Sequence, residues 1–109
     1  MNLFFYHDWS FNENSNFGEV FWCRGNSWFA FGILDYIEAF DGKINSGIKK
    51  YLLDTFKAQV NTLVKYQAKS GLWHTVIDDV TSYEEVSGSA AISYRNTHWN
   101  TPWDTWWLI

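Results

Sequence analysis

Residues 27–71 of the chain read SWFAFGILDYIEAFDGKINSGIKKYLLDTFKAQVNTLVKYQAKSG, and this stretch decides the fold class. Large apolar residues recur in it at the spacing that places them on one face of an α-helix. They are Trp28, Phe31, Leu34, Ile37 and Phe40 in the first half, and Ile48, Leu52, Phe56, Val60, Leu63 and Val64 in the second. The pattern predicts one helix over residues 27–40 and a longer one that begins after residue 45.

Turn-forming residues bound both predicted helices. Asp41-Gly42 ends the first helix, Asn45-Ser46 supplies an N-cap for the second, and Ser70-Gly71 ends it. Because only a few residues connect the two helices, they should lie antiparallel as an αα-hairpin.

The rest of the chain connects these helices or extends the helical pattern. Residues 10–20 are rich in Asn, Ser and Glu, which is typical of an exposed loop, and residues 72–86 have no helical period. The run Ser87-Gly88-Ser89-Ala90-Ala91-Ile92 is typical of a capped helix start. No segment alternates in the way that predicts a strand, so the predicted class is all-α.

Composition limits the range of functions. A chain of 109 residues is one domain or a piece of one, and 47% hydrophobic with 18% charged residues is a globular composition. The net charge of -4, without a Lys/Arg cluster, argues against nucleic acid or a membrane surface as partner. The 21% aromatic share, with eight Trp, indicates sugar stacking, a large core, or both.

Cysteine and leader signals point to a reducing compartment. Cys23 is alone, so it cannot form an internal disulfide, and no Cys or His stands near it at metal-ligand spacing. We expect a buried thiol and neither a metal nor a cofactor. Residues 1–10 have no basic leader and are interrupted by His7 and Asp8, so a cytoplasmic location is expected.

The densest group of chemically useful residues is Phe21-Trp22-Cys23-Arg24-Gly25-Asn26-Ser27-Trp28. An indole face stacks on a pyranose ring, and a guanidinium can hold a carboxylate through two parallel hydrogen bonds. Together these side chains suit an acidic sugar. The alternative is that Trp22 and Trp28 are core residues and Arg24 a surface residue, and composition alone favours that alternative.

The pattern Trp-x-Arg-Gly-Asn-x-Trp at residues 22–28 resembles a motif of glycoside hydrolase families 88 and 105, the unsaturated glucuronyl and rhamnogalacturonyl hydrolases. Three further stretches resemble these families in the same order, at residues 4–9, 66–74 and 78–90. The rhamnogalacturonyl family is the better match. The resemblance covers nearly everything up to Tyr94, so residues 1–94 are interpreted as the C-terminal part of such a domain.

This resemblance implies an (α/α)6 barrel of six inner and six outer helices, of which the chain supplies roughly the last third. In such enzymes an Asp protonates the C4–C5 double bond of an unsaturated uronic acid, water adds, and the resulting hemiketal opens to release the neighbouring sugar. The implied substrate is an unsaturated rhamnogalacturonan-type disaccharide made from pectin-like polymers. Since the family's Asp lies upstream of the matching region, no catalytic residue is assigned here and the fragment alone is expected to be inactive.

Carried over by position, Trp22, Arg24 and Trp28 match residues that line the substrate pocket, and His7 matches a histidine that faces the substrate. His7 could instead brace a loop. Weaker candidates are Trp73 and His74 at the pocket rim, where a packed helix terminus is an equal alternative, and Ser87, for which N-capping is a sufficient explanation.

Residues 95–109 do not continue the helical pattern. They contain four of the eight Trp, and Pro102 would break a helix. Trp has the single codon TGG, so reading one nucleotide later turns each of these Trp into Gly. The sequences of the resembled family also end on a helix that contains Gly. A reading-frame slip after Tyr94 is therefore our hypothesis for this tail.

A non-catalytic helical module that binds sugar or protein through exposed aromatic residues is the alternative function. Such modules are built from repeats, and residues 27–42 and 46–71 are not self-similar. The sequence does not indicate an oligomeric state.

Overall fold

The computed structural model describes the backbone of residues 3–98 and the side chains of residues 3–94. Within this range the chain forms helices α1 (Cys23–Ala39), α2 (Ser46–Lys65) and α3 (Val86–His98), and strands β1 (Trp73–His74) and β2 (Glu84–Glu85). The structure is mostly helical, and α1 is its central element because it packs against both α2 and α3.

Helices α1 and α2 form the antiparallel hairpin that the sequence predicts. Leu52, Leu53 and Phe56, around the middle of α2, pack on Ile33, Leu34 and Ile37 toward the end of α1. At the opposite end, the Gln59 side chain of α2 donates to the carbonyl oxygen of Asn26 in α1, at 3.2 Å. The predicted cap is also present, since the Asn45 side chain accepts from the backbone N–H groups of Gly47 and Ile48.

The boundaries of α1 and the face that it buries differ from the prediction. The helix begins at Cys23 instead of Ser27. Trp22 provides no side-chain cap at this end; the backbone N–H of Cys23 instead donates to the carbonyl oxygen of Thr75, at 2.9 Å. The buried face is formed by Cys23, Asn26, Ser27, Ala30, Ile33, Leu34 and Ile37. Trp28, expected in the apolar stripe, is 67% exposed.

The region after α2 also departs from the prediction. Helix α2 ends at Lys65, and a turn with Gly71 at φ 88° follows it. Residues 73–74 and 84–85 pair as antiparallel strands, Trp73 with Glu85 and His74 with Glu84, so the expectation of no strand was wrong. Two-residue strands are too short to produce an alternation that a sequence could reveal.

Helix α3 is capped by Glu85 rather than by Ser87. The Glu85 carboxylate accepts from the backbone N–H of Gly88 at 3.1 Å, and the Ser89 hydroxyl donates to the Glu85 carbonyl oxygen at 2.5 Å. Glu85 therefore braces the loop before the helix. The helix runs to His98, past the boundary predicted at Tyr94, and residues 99–109 of the anomalous tail lie outside the described residues.

Two separate apolar clusters support this arrangement. One lies where α1 and α3 begin and contains Phe4, Cys23, Leu63, Trp73, Ile77 and Ile92. The other lies between the end of α1 and the middle of α2. The N-terminal segment joins the first cluster through Phe4, which brings the residues that follow it to the start of α1.

Candidate active site

Three residues predicted to bind substrate, His7, Trp22 and Arg24, lie together around one indole ring. His7 meets Trp22 edge to face, with ring centroids 4.5 Å apart and an interplanar angle of 87°. The guanidinium carbon of Arg24 lies 4.8 Å from the Trp22 ring centroid, which is within the range of a cation–π contact. The fold therefore brings the imidazole of the N-terminal segment to the first turn of α1.

The backbone around Trp22 is fixed by the loop between β1 and β2. Trp22 and Val76 form an antiparallel bridge, and the backbone N–H of Ile77 donates to the carbonyl oxygen of Phe21 at 3.0 Å. With the bond from Cys23 to Thr75, these contacts tie the residues before α1 to the loop. Trp22 is thus held at a defined point although no regular strand contains it.

Gly25 and Asn26 connect the same helix turn to the N-terminal segment. The Asn26 side chain accepts from the backbone N–H of Phe5 at 2.8 Å and donates to the Phe5 carbonyl oxygen at 3.0 Å. A Cβ on Gly25 would lie 2.8 Å from Nδ1 of His7. Both residues belong to the Trp-x-Arg-Gly-Asn-x-Trp motif, but their roles depend on contacts with Phe5 and His7 that no local sequence pattern encodes.

Arg24 and Trp28 extend the site along the exposed face of α1. They stand one helical turn apart, so their side chains share a face. Arg24 is exposed and forms no ion pair with any side chain of residues 3–94. Since Trp28 is 67% exposed, the alternative that it is a core residue is wrong for this structure.

An open cleft of about 360 Å³ adjoins His7 and Trp22. Its remaining lining comes from Asp8, Asn16, Phe17 and Val20, so the loop of residues 10–20 forms one wall. Phe17 has φ 56°, a left-handed conformation that is uncommon for residues other than glycine, and is 59% exposed. The cleft has space for a sugar ring against His7 and Trp22.

The weaker candidates lie elsewhere. Trp73 is only 2% exposed, and its indole N–H donates to the carbonyl oxygen of Leu63 at 2.8 Å, so it is a core residue and not part of a pocket rim. His74 is half-buried, and its Nδ1 lies 2.6 Å from the carbonyl oxygen of Ser82, across the loop. The Ser87 hydroxyl donates to the Glu85 carboxylate, and Glu85, not Ser87, accepts from the backbone N–H of Gly88, so N-capping by Ser87 is wrong.

Cys23 is fully buried between the starts of α1 and α3, as the sequence predicts. Burial, followed by the negative charge of Glu85 and a hydrogen bond to its carboxylate, raises the pKa of the Cys23 thiol to about 12. The thiol is therefore protonated over the physiological range and is a poor nucleophile.

No group of three or more His, Cys, Asp or Glu side chains among the described residues is arranged to hold a metal ion. None of the helices within residues 3–98 has the length and apolar character needed to cross a membrane.

Comparison with known proteins gives consistent matches. The model of Glycosyl Hydrolase Family 88 matches residues 2–98. The chain is 33% identical over 90 residues to the unsaturated rhamnogalacturonyl hydrolase YesR of Bacillus subtilis (strain 168), an alignment that covers 82% of this chain and 25% of that protein.

Two solved structures, each described as a possible member of the GH105 family, are similar in fold. The one from Salmonella enterica serovar Paratyphi A has a TM-score of 0.82 and 39% identity, and the one from Klebsiella pneumoniae has 0.81 and 36%. Both alignments cover 87% of this chain and 25% of the other chain. The chain thus spans about a quarter of the length of the relatives it matches.

Proposed function

We infer the function from one premise: this chain belongs to glycosyl hydrolase family 88, whose model matches residues 2–98. It is a fragment of a glycoside hydrolase. We propose that the intact enzyme hydrates the C4–C5 double bond of an unsaturated uronic acid and so releases it from a rhamnogalacturonan-type disaccharide. The name of the Bacillus relative, an unsaturated rhamnogalacturonyl hydrolase, supports this substrate class.

One observation carries the assignment of the site. A guanidinium without an ion pair among the described side chains, an indole face and an imidazole converge at the start of α1. Arg24 holds the uronate carboxylate through charge-assisted hydrogen bonds, and Trp22 and Trp28 orient the sugar ring. His7 donates to or accepts from a sugar hydroxyl or the attacking water. These side chains contribute to catalysis by positioning the substrate. The proton comes from an Asp of the preceding part of the barrel.

The chain is proposed to form the last part of an (α/α)6 barrel. Its radius of gyration is 14.8 Å, whereas a compact domain of this length has a value of about 13 Å. Large apolar side chains of α1, of α2 and of their connection are exposed away from the candidate site, including Tyr36, Phe40, Ile48 and Tyr51. Neighbouring helices of a closed ring would cover such a surface. A non-catalytic helical module is not favoured, since the matched family is one of hydrolases.

A chimaera tests the proposal. Residues 1–98 replace the matching quarter of the Bacillus relative, and loss of absorbance of the conjugated uronate is followed with an unsaturated rhamnogalacturonan disaccharide. We expect turnover by the chimaera and almost none when Trp22 and Arg24 are both changed to Ala. A folded chimaera that binds the disaccharide but turns over only a different glycoside would contradict the proposed reaction.

A further inference from the structure

His7 has few direct contacts that would fix its position. Its imidazole is exposed, and its described contact is the edge-to-face packing against Trp22. No hydrogen bond joins the imidazole to another residue within the described part of the chain. A histidine that is to hold one sugar hydroxyl or one water needs a defined position, so the backbone that carries it must be fixed instead.

Asn26 fixes that backbone. Its side chain bonds both the N–H and the carbonyl oxygen of Phe5, as a peptide group of a neighbouring strand would. The same Nδ2 also donates to the carbonyl oxygen of Trp22 at 3.0 Å. One buried amide, 1% exposed, therefore ties together the backbones that carry both members of the His7–Trp22 contact.

The orientation of this amide is fixed by α2. Nε2 of Gln59 donates to the Asn26 carbonyl oxygen at 3.2 Å and lies 3.3 Å from its Oδ1. If the Asn26 amide were flipped, its Nδ2 would face Nε2 of Gln59, so that two N–H donors would meet. The flipped amide would also lose both hydrogen bonds to Phe5. The orientation that holds Phe5 is thus the one that Gln59 supports.

Gly25 supplies the space that His7 occupies. A Cβ at this position would lie 2.8 Å from Nδ1 of His7 and 3.1 Å from Cε3 of Trp22. Both distances are shorter than normal contacts, so a side chain would displace one of the two rings. Gly32, two turns further along α1, has nothing within 4 Å of the corresponding Cβ position.

We propose that Gly25 and Asn26 are positioning residues for His7: Gly25 leaves room for the imidazole against Trp22, and Asn26 holds its backbone to α1. The importance of this positioning for catalysis rests on the proposed function, whereas the position of His7 itself can be measured without substrate. Neither Gly25 nor Asn26 touches the sugar; each acts through His7.

The test uses the 109-residue chain with ¹³C-labelled histidine in dilute solution. The ring current of Trp22 should displace the His7 imidazole resonances of the unchanged chain, and Trp22→Leu identifies this contribution. In Gly25→Ala and in Asn26→Ala the His7 resonances should move toward those of an exposed histidine. His74, held by the Ser82 carbonyl oxygen, should not shift, and the matched variant Gly32→Ala should leave the resonances of His7 and His74 unchanged.

The outcomes separate positioning from folding. Ala is a better helix former than Gly, so Gly25→Ala retains α1 and decides the question even if Asn26→Ala unfolds the chain. Unchanged His7 resonances in Gly25→Ala would overturn the proposal, as would an equal shift in Gly32→Ala. Addition of the unsaturated disaccharide to the chimaera is a second arm: if the His7 resonances do not respond there, the proposed function is contradicted and the positioning result stands.

Discussion

Arg24 presents an exposed positive charge beside the Trp22 ring, and its removal should affect catalysis more than folding. In the chimaera, Arg24→Ala should lower kcat/KM by an amount equivalent to about 2 to 4 kcal/mol of transition-state binding if the charge-assisted pair between Arg24 and the uronate is buried in the complex. Arg24→Lys keeps the positive charge but not the planar guanidinium, so its kcat/KM should lie between those of the parent and the Ala variant. Steady-state kinetics on the disaccharide measures both; kcat/KM for the Ala variant within about twofold of the parent would remove Arg24 from the site.

Cys23 should make stability depend on pH in the alkaline range. Its pKa is raised from 9.0 to about 12 in the folded chain, so the folded state favours the protonated thiol. The resulting stability is complete below pH 9.0 and is lost as pH rises toward 12. Within that window the free energy of unfolding should fall by about 1.4 kcal/mol per pH unit from this group.

Urea unfolding at a series of pH values measures this effect. Tyr and Lys residues also titrate above pH 9, so the contribution of the thiol is the difference between the unchanged chain and Cys23→Ala. Identical pH dependence in the two proteins would show that the Cys23 thiol is not held protonated by its surroundings.

At the scale of elements, the close approach of α3 to α1 depends on Gly88. A Cβ there would lie 2.6 Å from the Glu85 carboxylate, 2.7 Å from Sγ of Cys23 and 3.0 Å from the backbone nitrogen of Arg24. A backbone atom cannot move aside as a flexible side chain can. We expect Gly88→Ala to lower the free energy of unfolding by about 1 to 3 kcal/mol through overpacking.

Thermal unfolding followed by circular dichroism checks this prediction against Gly32→Ala. The control adds the same methyl group to a helix where nothing lies within 4 Å, so it should be neutral or stabilising. A Gly88→Ala variant that melts with the control would mean that α1 and α3 are not packed as closely as described.

Elements whose signals are local could be predicted from the sequence. The start of α2 was correct because Asn45 caps the N–H groups of its own neighbours. The start of α1 was wrong because its first N–H is satisfied by Thr75, far along the chain, and no local pattern encodes that contact. The candidate site shows the same dependence on distant contacts. The family motif was enough to select its residues, but the role of Asn26 depends on its hydrogen bond to Phe5, which only the folded structure reveals.

At the scale of the whole molecule, the isolated chain should neither consume substrate nor remain monomeric as its concentration rises. The proposed proton donor lies outside it, and Trp28, Phe40, Ile48 and Tyr51 are exposed on α1 and α2 and their connection. An apolar surface of this kind favours association. The uronate absorbance assay and sedimentation velocity measure the two properties; a monomer that melts cooperatively and consumes the disaccharide would contradict the fragment interpretation.

The origin of residues 95–109 has a genetic test. If a reading-frame slip follows Tyr94, the gene read one nucleotide later should encode a Gly-containing ending similar to that of the family in place of the Trp-rich tail. Sequencing the gene decides this, since codons for Arg95 to Trp107 that cannot spell such an ending in the shifted frame would exclude the slip. A chain with the restored ending should extend the matched region beyond residue 98.

The division of the interior into two apolar clusters bears on how the chain can change over evolutionary time. Residues of one cluster lie at the starts of α1 and α3, beside the candidate site, and those of the other lie toward the far end of α1. Substitutions in clusters that share no partners have nearly independent effects. Phe29 joins the two regions here, because it packs against the far cluster and its ring centroid lies 5.0 Å from that of Phe5. The far cluster can therefore accumulate changes with little effect on His7, Trp22 and Arg24 only where Phe29 keeps its place, whereas changes in the near cluster act beside the site.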